Sequence, residues 1–204
     1  MVCALVFYSV VFSNLQQAPV RFLSVNDAPA VCDIILVLAG RIERKPYGLR
    51  LFQQQFAPRL IVSVSRHEVR QTAKQLSVPA LLALRDATPP DQRHFWLDYR
   101  EGHQHIVRAE GIRRSSTYWE LHALARYLGR EAPKRIAIVS TSVHLRRVML
   151  CCRKIQAFGG TDILVFPVPE ESSSFVRAGW WRRPDHWSYV LSEFAKLMAY
   201  VLLY

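Results

Sequence analysis

Arg135-Ile136-Ala137-Ile138-Val139-Ser140-Thr141-Ser142-Val143-His144-Leu145-Arg146-Arg147 is the stretch that decides the fold. A β-branched apolar run breaks into three hydroxyls and then presents His144 and Arg147, the pattern of a strand running into a helix with a polar site at the junction. Working outward, Asp33-Ile34-Ile35-Leu36-Val37-Leu38-Ala39-Gly40 is a continuous apolar run entered by an acid and closed by glycine, as expected of a strand buried on both faces. Pro46 can open a helix carrying Tyr47, Leu51 and Phe52, and Pro58 stops it. A second strand follows over Arg59–Ser65, then a helical stretch from His67 to Leu76. Pro79, Pro89 and Pro90 predict a long irregular connection or flap between Ser77 and His94. A third, shorter strand falls at either 95–97 or 105–107. Thr117–Leu128 is a helix, because Thr117-Tyr118-Trp119-Glu120 fits a capping box and Leu121, Leu124, Ala125 and Leu128 repeat at helical spacing. Beyond the opening stretch, a helix over 143–158, a Gly159-Gly160 stop and a last strand Asp162–Pro167 complete the alternation. Strands alternating with crossover-length helices predict an α/β fold, a Rossmann-like three-layer sandwich with a mostly parallel sheet.

The chain has 204 residues, half of them hydrophobic, enough for one substantial core. We therefore expect a single domain over 31–204, preceded by an apolar amino-terminal segment over 1–30. No charged side chain occurs from Met1 to Val20, but the dense apolar run from Val2 to Phe12 is shorter than the roughly 20 residues a spanning helix needs. It also lacks the basic start and small-residue cleavage site of a secretory signal. A membrane anchor, a helix lying on a membrane and a segment packed on the domain all remain open. At the other end Phe194, Leu197, Met198, Val201 and Leu202 recur at helical spacing, interrupted by Glu193 and Lys196, which predicts a helix covering the sheet. The formal charge is +11, spread along the chain, and favours anionic partners in general: phosphorylated ligands, acidic membrane surfaces or nucleic acid. Nothing in the spread of arginines is specific to nucleic acid. Cys3, Cys32, Cys151 and Cys152 show no zinc-site spacing, and Cys3, in an apolar segment, and Cys32, just before an apparent buried strand, read as buried reduced thiols.

In a parallel sheet the residues just past each strand end share one rim. That rim gathers Gly40 and Arg41, Ser63 and Ser65, Ser140, Thr141 and His144, and Glu170, with the Arg113–Thr117 turn opening a helix at the same end. Hydroxyls, helix amino termini and guanidinium groups suit a phosphate, sulfate or carboxylate. The candidate ligand-binding residues are therefore Arg41, Ser63, Thr117, Glu120, Ser140, Thr141, Ser142 and Arg147, with His144 the candidate catalytic residue, orienting the ligand or shuttling a proton. His144 and Arg147 are three residues apart and share a helical face. His94, His103 and His105 have no carboxylate placed to complete a metal set, and His103 and His105 are expected to turn to opposite sides of their segment. The Trp180–Trp187 stretch mixes aromatic and basic side chains, suited either to a membrane interface or to packing under the domain. No Gly-x-Gly-x-x-Gly, P-loop or Gly-x-Ser-x-Gly motif is present, and no motif identifies a cofactor.

Four of these segments carry a resemblance to the ElyC/SanA/YdcF family of bacterial envelope proteins, a domain of unknown function. They are Asp33–Gly40, Ala57-Pro58-Arg59-Leu60-Ile61-Val62-Ser63, Ser115-Ser116-Thr117-Tyr118-Trp119-Glu120, and Val139 to Arg147, which looks like the family's Val-Thr-Ser-x-x-His-x-x-Arg signature. Two positions depart from the family pattern: Ser63-Val64-Ser65-Arg66 stands where Ser-Gly-Gly is common, and Glu120 where many members have asparagine. The resemblance implies an envelope-associated protein at the bacterial inner membrane, with a cytoplasmic location as the alternative. It further implies a nucleotide-like or otherwise phosphorylated ligand and a part in envelope integrity or peptidoglycan precursor metabolism. A non-catalytic protein held to acidic lipid by its basic face is the rival expectation.

Overall fold

β1 (Ile34–Val37) is buried along its whole length, with strands paired to both of its edges and apolar layers packed on both of its faces. In a computed structural model, which describes residues 15–203 except 102, 111, 113–115, 130 and 132, β1 lies parallel to β2 (Arg59–Ser65) and to β5 (Arg135–Ser140). β6 (Asp162–Pro167) continues the parallel part beyond β5. β3 (His94–Arg100) and β4 (His103–Arg108) add an antiparallel pair beyond β2, giving the order β4-β3-β2-β1-β5-β6. The sheet is thus mostly parallel with a mixed edge. Both candidate third strands exist, and they form a hairpin because two residues separate them, whereas a parallel crossover needs a dozen or more.

Alternate residues of the central strands face opposite layers, as the period of a strand requires. Ile35, Val37, Leu60, Val62 and Val139 pack against Tyr47 and Leu51 of α2 (Arg44–Gln53), Val69 and Ala73 of α3 (Val69–Gln75), and Leu81 of α4 (Ala80–Asp86). Ile34, Leu36, Ile61, Ile136 and Ile138 pack against Leu121, Leu124 and Leu128 of α5 (Thr117–Leu128) and Val148, Cys151 and Cys152 of α6 (Leu145–Lys154). Helices therefore cover both faces. A third cluster joins α1 (residues 15–23) to α7 (Pro184–Leu203) through Val20, Leu23, Val190 and Leu197, with Val143 beneath them.

Several expectations are corrected. The proline-rich stretch 77–94 is not an irregular flap: the prolines bracket α4 instead of interrupting it, and Leu81 anchors that helix in the core. The helix expected over 143–158 divides into short 3₁₀ turns at Ser142–His144 and Gln156–Phe158 flanking α6. His103 and His105 do not diverge but stack at 6.5 Å between ring centroids, since residues two apart on a strand share a face. Trp180 is buried and its indole Nε1 donates to the Gln16 carbonyl at 2.9 Å, whereas Trp187 is exposed. Among the described residues no helix is long and apolar enough to cross a membrane. The run from Val2 to Phe12 lies outside the described residues.

Candidate functional site

The carboxyl ends of β1, β2 and β5, the start of the antiparallel β3 and the first turn of α5 meet at one end of the sheet. They surround a cavity of about 420 Å³ whose walls include Gly40, His94, Thr117, Glu120, His144 and Arg147. Lys196 and Tyr200, from the inner side of α7, close it. The strand order reverses direction between β1 and β5, so the crevice sits where open α/β sheets place their ligands.

The loop after β1 is fixed by carboxylates. Ala39 N–H donates to Glu120 Oε1 at 2.8 Å. Gly40, whose φ of +115° suits a residue without a Cβ, donates to both oxygens of Glu68 at 3.1 and 3.0 Å. Glu68 also accepts from Ser65 N–H at 2.8 Å and from the ammonium of Lys45, which is fully buried. Burial holds Lys45 below its usual range, with Glu68 opposing the shift. The backbone donors that would otherwise receive an anion at this loop are therefore already satisfied from within.

The opposite wall carries surplus positive charge. Arg147 donates from Nε and Nη2 to Glu193 at 3.0 and 3.2 Å, and Lys196 donates to the same carboxylate at 3.2 Å, so two cations share one acid. Arg147 Nη1 donates to Thr117 Oγ1 at 2.6 Å. Arg147 Nη2 lies 3.1 Å from His144 Nδ1, and because guanidinium only donates, Nδ1 carries the lone pair. The ring proton is then on Nε2, directed at Thr117 Oγ1 at 3.3 Å. Burial, with the charges of Arg147, Arg44 and Lys196, drives His144 well below the usual histidine range and keeps it neutral. With both lone pairs of Thr117 Oγ1 engaged, its own proton is left for an acceptor in the cavity. Both ring nitrogens of His144 are committed inside this cluster, so the geometry is that of an orienting group and not of a free proton carrier.

Thr117, Glu120, His144 and Arg147 thus converge, and five other expected residues do not reach the cavity wall. Arg41 turns outward to the Ser174 hydroxyl and stacks over Tyr189 at 4.3 Å. Ser63 is buried behind the wall, 2.7 Å from His94 Nε2, where it positions that ring. Ser140 is fully buried, and its hydroxyl has no hydrogen-bond partner among the described residues. Thr141 is enclosed by Arg44 at 3.0 Å and the Tyr189 hydroxyl at 2.6 Å. Ser142 lines a separate hollow of about 170 Å³ with Glu170 and Arg177. In each case a strand end fixes the height of the residue at the rim, but the pleat and the next loop decide its direction. The capping box also shifts by one: Ser116 is the cap, its Oγ accepting from Trp119 N–H at 3.3 Å, which frees Thr117 and Glu120 for the cavity.

Sequence reading missed Glu68, Lys45, His94, Glu193, Lys196 and Tyr200 as parts of the site. Glu193 and Lys196 did carry a signal, being charges within an otherwise apolar helix, since an acid almost never lies on a buried face unpaired. Lys45 and Glu68 carry none, because in sequence they resemble ordinary charges on helix surfaces. Comparison with family models, with curated proteins and with solved structures finds no match to this chain.

Proposed function

We propose that this chain is a Rossmann-like protein that binds a small anionic, phosphorylated ligand in the cavity at the rim of its sheet, in the envelope role that its resemblance to the ElyC/SanA/YdcF family implies. The observation that carries the reading is the sharing of Glu193 by Arg147 and Lys196 beside the first turn of α5. The uncompensated cation, the positive end of the helix and the outward Thr117 proton all favour negative charge at one spot. Because Glu68 and Glu120 occupy the β1 loop, the anion sits against Thr117, Arg147 and Lys196 and not on Ala39 and Gly40. In a catalytic version, phosphoryl transfer or hydrolysis fits these groups better than redox chemistry.

Calorimetric titration with inorganic phosphate, ethyl phosphate and a nucleotide tests the reading. Wild type binds, and Lys196→Met and Thr117→Val each weaken binding about tenfold or more, the range of one charge-assisted hydrogen bond. Absence of binding at millimolar concentration, or wild-type affinity in both variants, overturns it. One feature favours the second reading, attachment to an acidic membrane surface. Trp187, Leu191, Met198 and Leu202 form an exposed apolar stripe along the outer side of α7. Flotation with anionic vesicles over a salt series tests it, since binding through surface charge is lost as screening rises.

A further inference from the structure

Four carboxylates are buried among the described residues, and three of them have a cation. Glu68 holds Lys45, Asp98 holds Arg59 at 2.7 Å, and Glu193 holds Arg147 at 2.9 Å. Glu120, only 7% exposed, makes no direct ion pair among the described residues; the Lys45 ammonium, already held by Glu68, attracts it only from a distance. Its Oε1 takes the Ala39 N–H, and its Oε2 makes no hydrogen bond with any described residue. What remains exposed of this side chain opens into the cavity. A carboxylate removed from water without a counter-charge is costly, and buried charges are as a rule paired or bound to metal. No group of three metal-ligating side chains forms among the described residues.

We infer that Glu120 is the recognition group for an ammonium on the ligand, so that the cavity takes a small phosphate ester bearing a primary amine. The inference rests on the anion reading above and adds the second pole. Glu120 and Thr117 are three apart on α5, which sets their Cβ atoms about 5–6 Å apart on one helical face. The carboxylate therefore lies one short step from the spot where Thr117, Arg147 and Lys196 hold the phosphate. A ligand with an amine two or three bonds from its phosphate spans both poles, supplies the missing cation to Glu120 and leaves the phosphate on the cationic wall. A free metabolite and an ethanolamine lipid headgroup share this chemistry.

The test compares 2-aminoethyl phosphate with ethyl phosphate, which differ by the amine alone, by calorimetry on the full chain and on Glu120→Gln. Glutamine keeps an oxygen for the Ala39 N–H and so preserves the loop. Wild type is expected to bind the aminated ester at least tenfold more tightly, and in Glu120→Gln the ratio of the two affinities is expected to fall to about one. Equal affinity of wild type for the two esters, or a preference that survives in Glu120→Gln, overturns the inference while leaving anion binding intact. Failure of both esters and of inorganic phosphate to bind overturns the anion reading, and this inference with it. Flotation with phosphatidylethanolamine vesicles separates the sources: Glu120-dependent flotation assigns the headgroup, and aminated-ester binding without flotation assigns a free ligand, each in support of the ammonium pole.

Discussion

Replacing Glu68 by glutamine isolates the interaction that ties the β1 loop to the β2 loop. The native carboxylate accepts from Gly40 N–H, from Ser65 N–H and from the ammonium of Lys45, a side chain with no exposed surface. Glutamine offers one acceptor oxygen, turns two N–H donors toward an ammonium and removes the carboxylate that pairs directly with Lys45. Breaking a buried pair by removing one partner costs about 3–5 kcal/mol. With a urea dependence of roughly 2 kcal/mol per molar, the unfolding midpoint falls by about 1.5–2.5 M. The loss depends on pH in a definite sense. Burial already lowers Lys45, and without Glu68 most of the opposing attraction is lost and only that of Glu120 is left, so the folded state releases this proton at a lower pH than the unfolded chain does. Between those two values the unfolded state binds more protons, and stability rises with pH by about 1.4 kcal/mol per unit. Urea unfolding of Glu68→Gln followed by circular dichroism from pH 7 to 9.5 is expected to show this recovery. The double variant Lys45→Met/Glu68→Gln, which buries no charge, is expected to regain most of the loss at pH 7. A Glu68→Gln variant within 1 kcal/mol of wild type, or a double variant no more stable than the single one, refutes the reasoning.

The remaining predictions concern other parts of the molecule. Asp98→Ala removes the bidentate partner of Arg59, at 2.9 and 2.7 Å, and the acceptor of the Tyr127 hydroxyl; denaturant unfolding is expected to show a loss of about 3–5 kcal/mol. His94 and His144 are both lowered, chiefly by burial, so each binds its proton more weakly folded than unfolded. Their contribution is present well above pH 6.5 and is lost on acidification, by at most about 1.4 kcal/mol per pH unit for each ring, and His94→Gln is expected to make the loss below pH 6.5 shallower. Gly48→Ala places a methyl 2.1 Å from Val37 Cγ2, which forces α2 off β1, and thermal unfolding is expected to report about 1–3 kcal/mol of destabilisation. Burial pushes the Cys32 thiol up to about 11 and those of Cys151 and Cys152 up to about 12, so mass spectrometry after iodoacetamide treatment at pH 8 is expected to find these three unmodified in native protein and modified in urea.

How much of this was legible in the sequence follows the range of the interactions involved. Apolar runs with a turn residue at each end are local signals, and the residues of β1, β2, β5, β6 and α5 were read from them nearly as they stand. α4 was missed because its prolines were read as breakers, when Pro79 precedes the first turn, a position proline tolerates. The site was legible only in part. His144 and Arg147 announced themselves by their spacing beside a strand end, and Thr117 by its position at a helix start. Arg41 and Thr141 sit at the expected height but answer to Tyr189 on α7, a partner whose placement no local pattern gives. Glu68 and Lys45 meet across 23 residues, and Arg147 and Glu193 across 46; such pairings are made by tertiary packing and leave no periodic trace.

The last wall of the cavity comes from α7, and this sets an order in time. Lys196 and Tyr200 follow every strand of the sheet along the chain, so synthesis completes the receptacle last. A frameshift near Leu191 would thus spare every strand of the sheet and yet remove Glu193, the acid that aims Arg147, together with Lys196 and Tyr200.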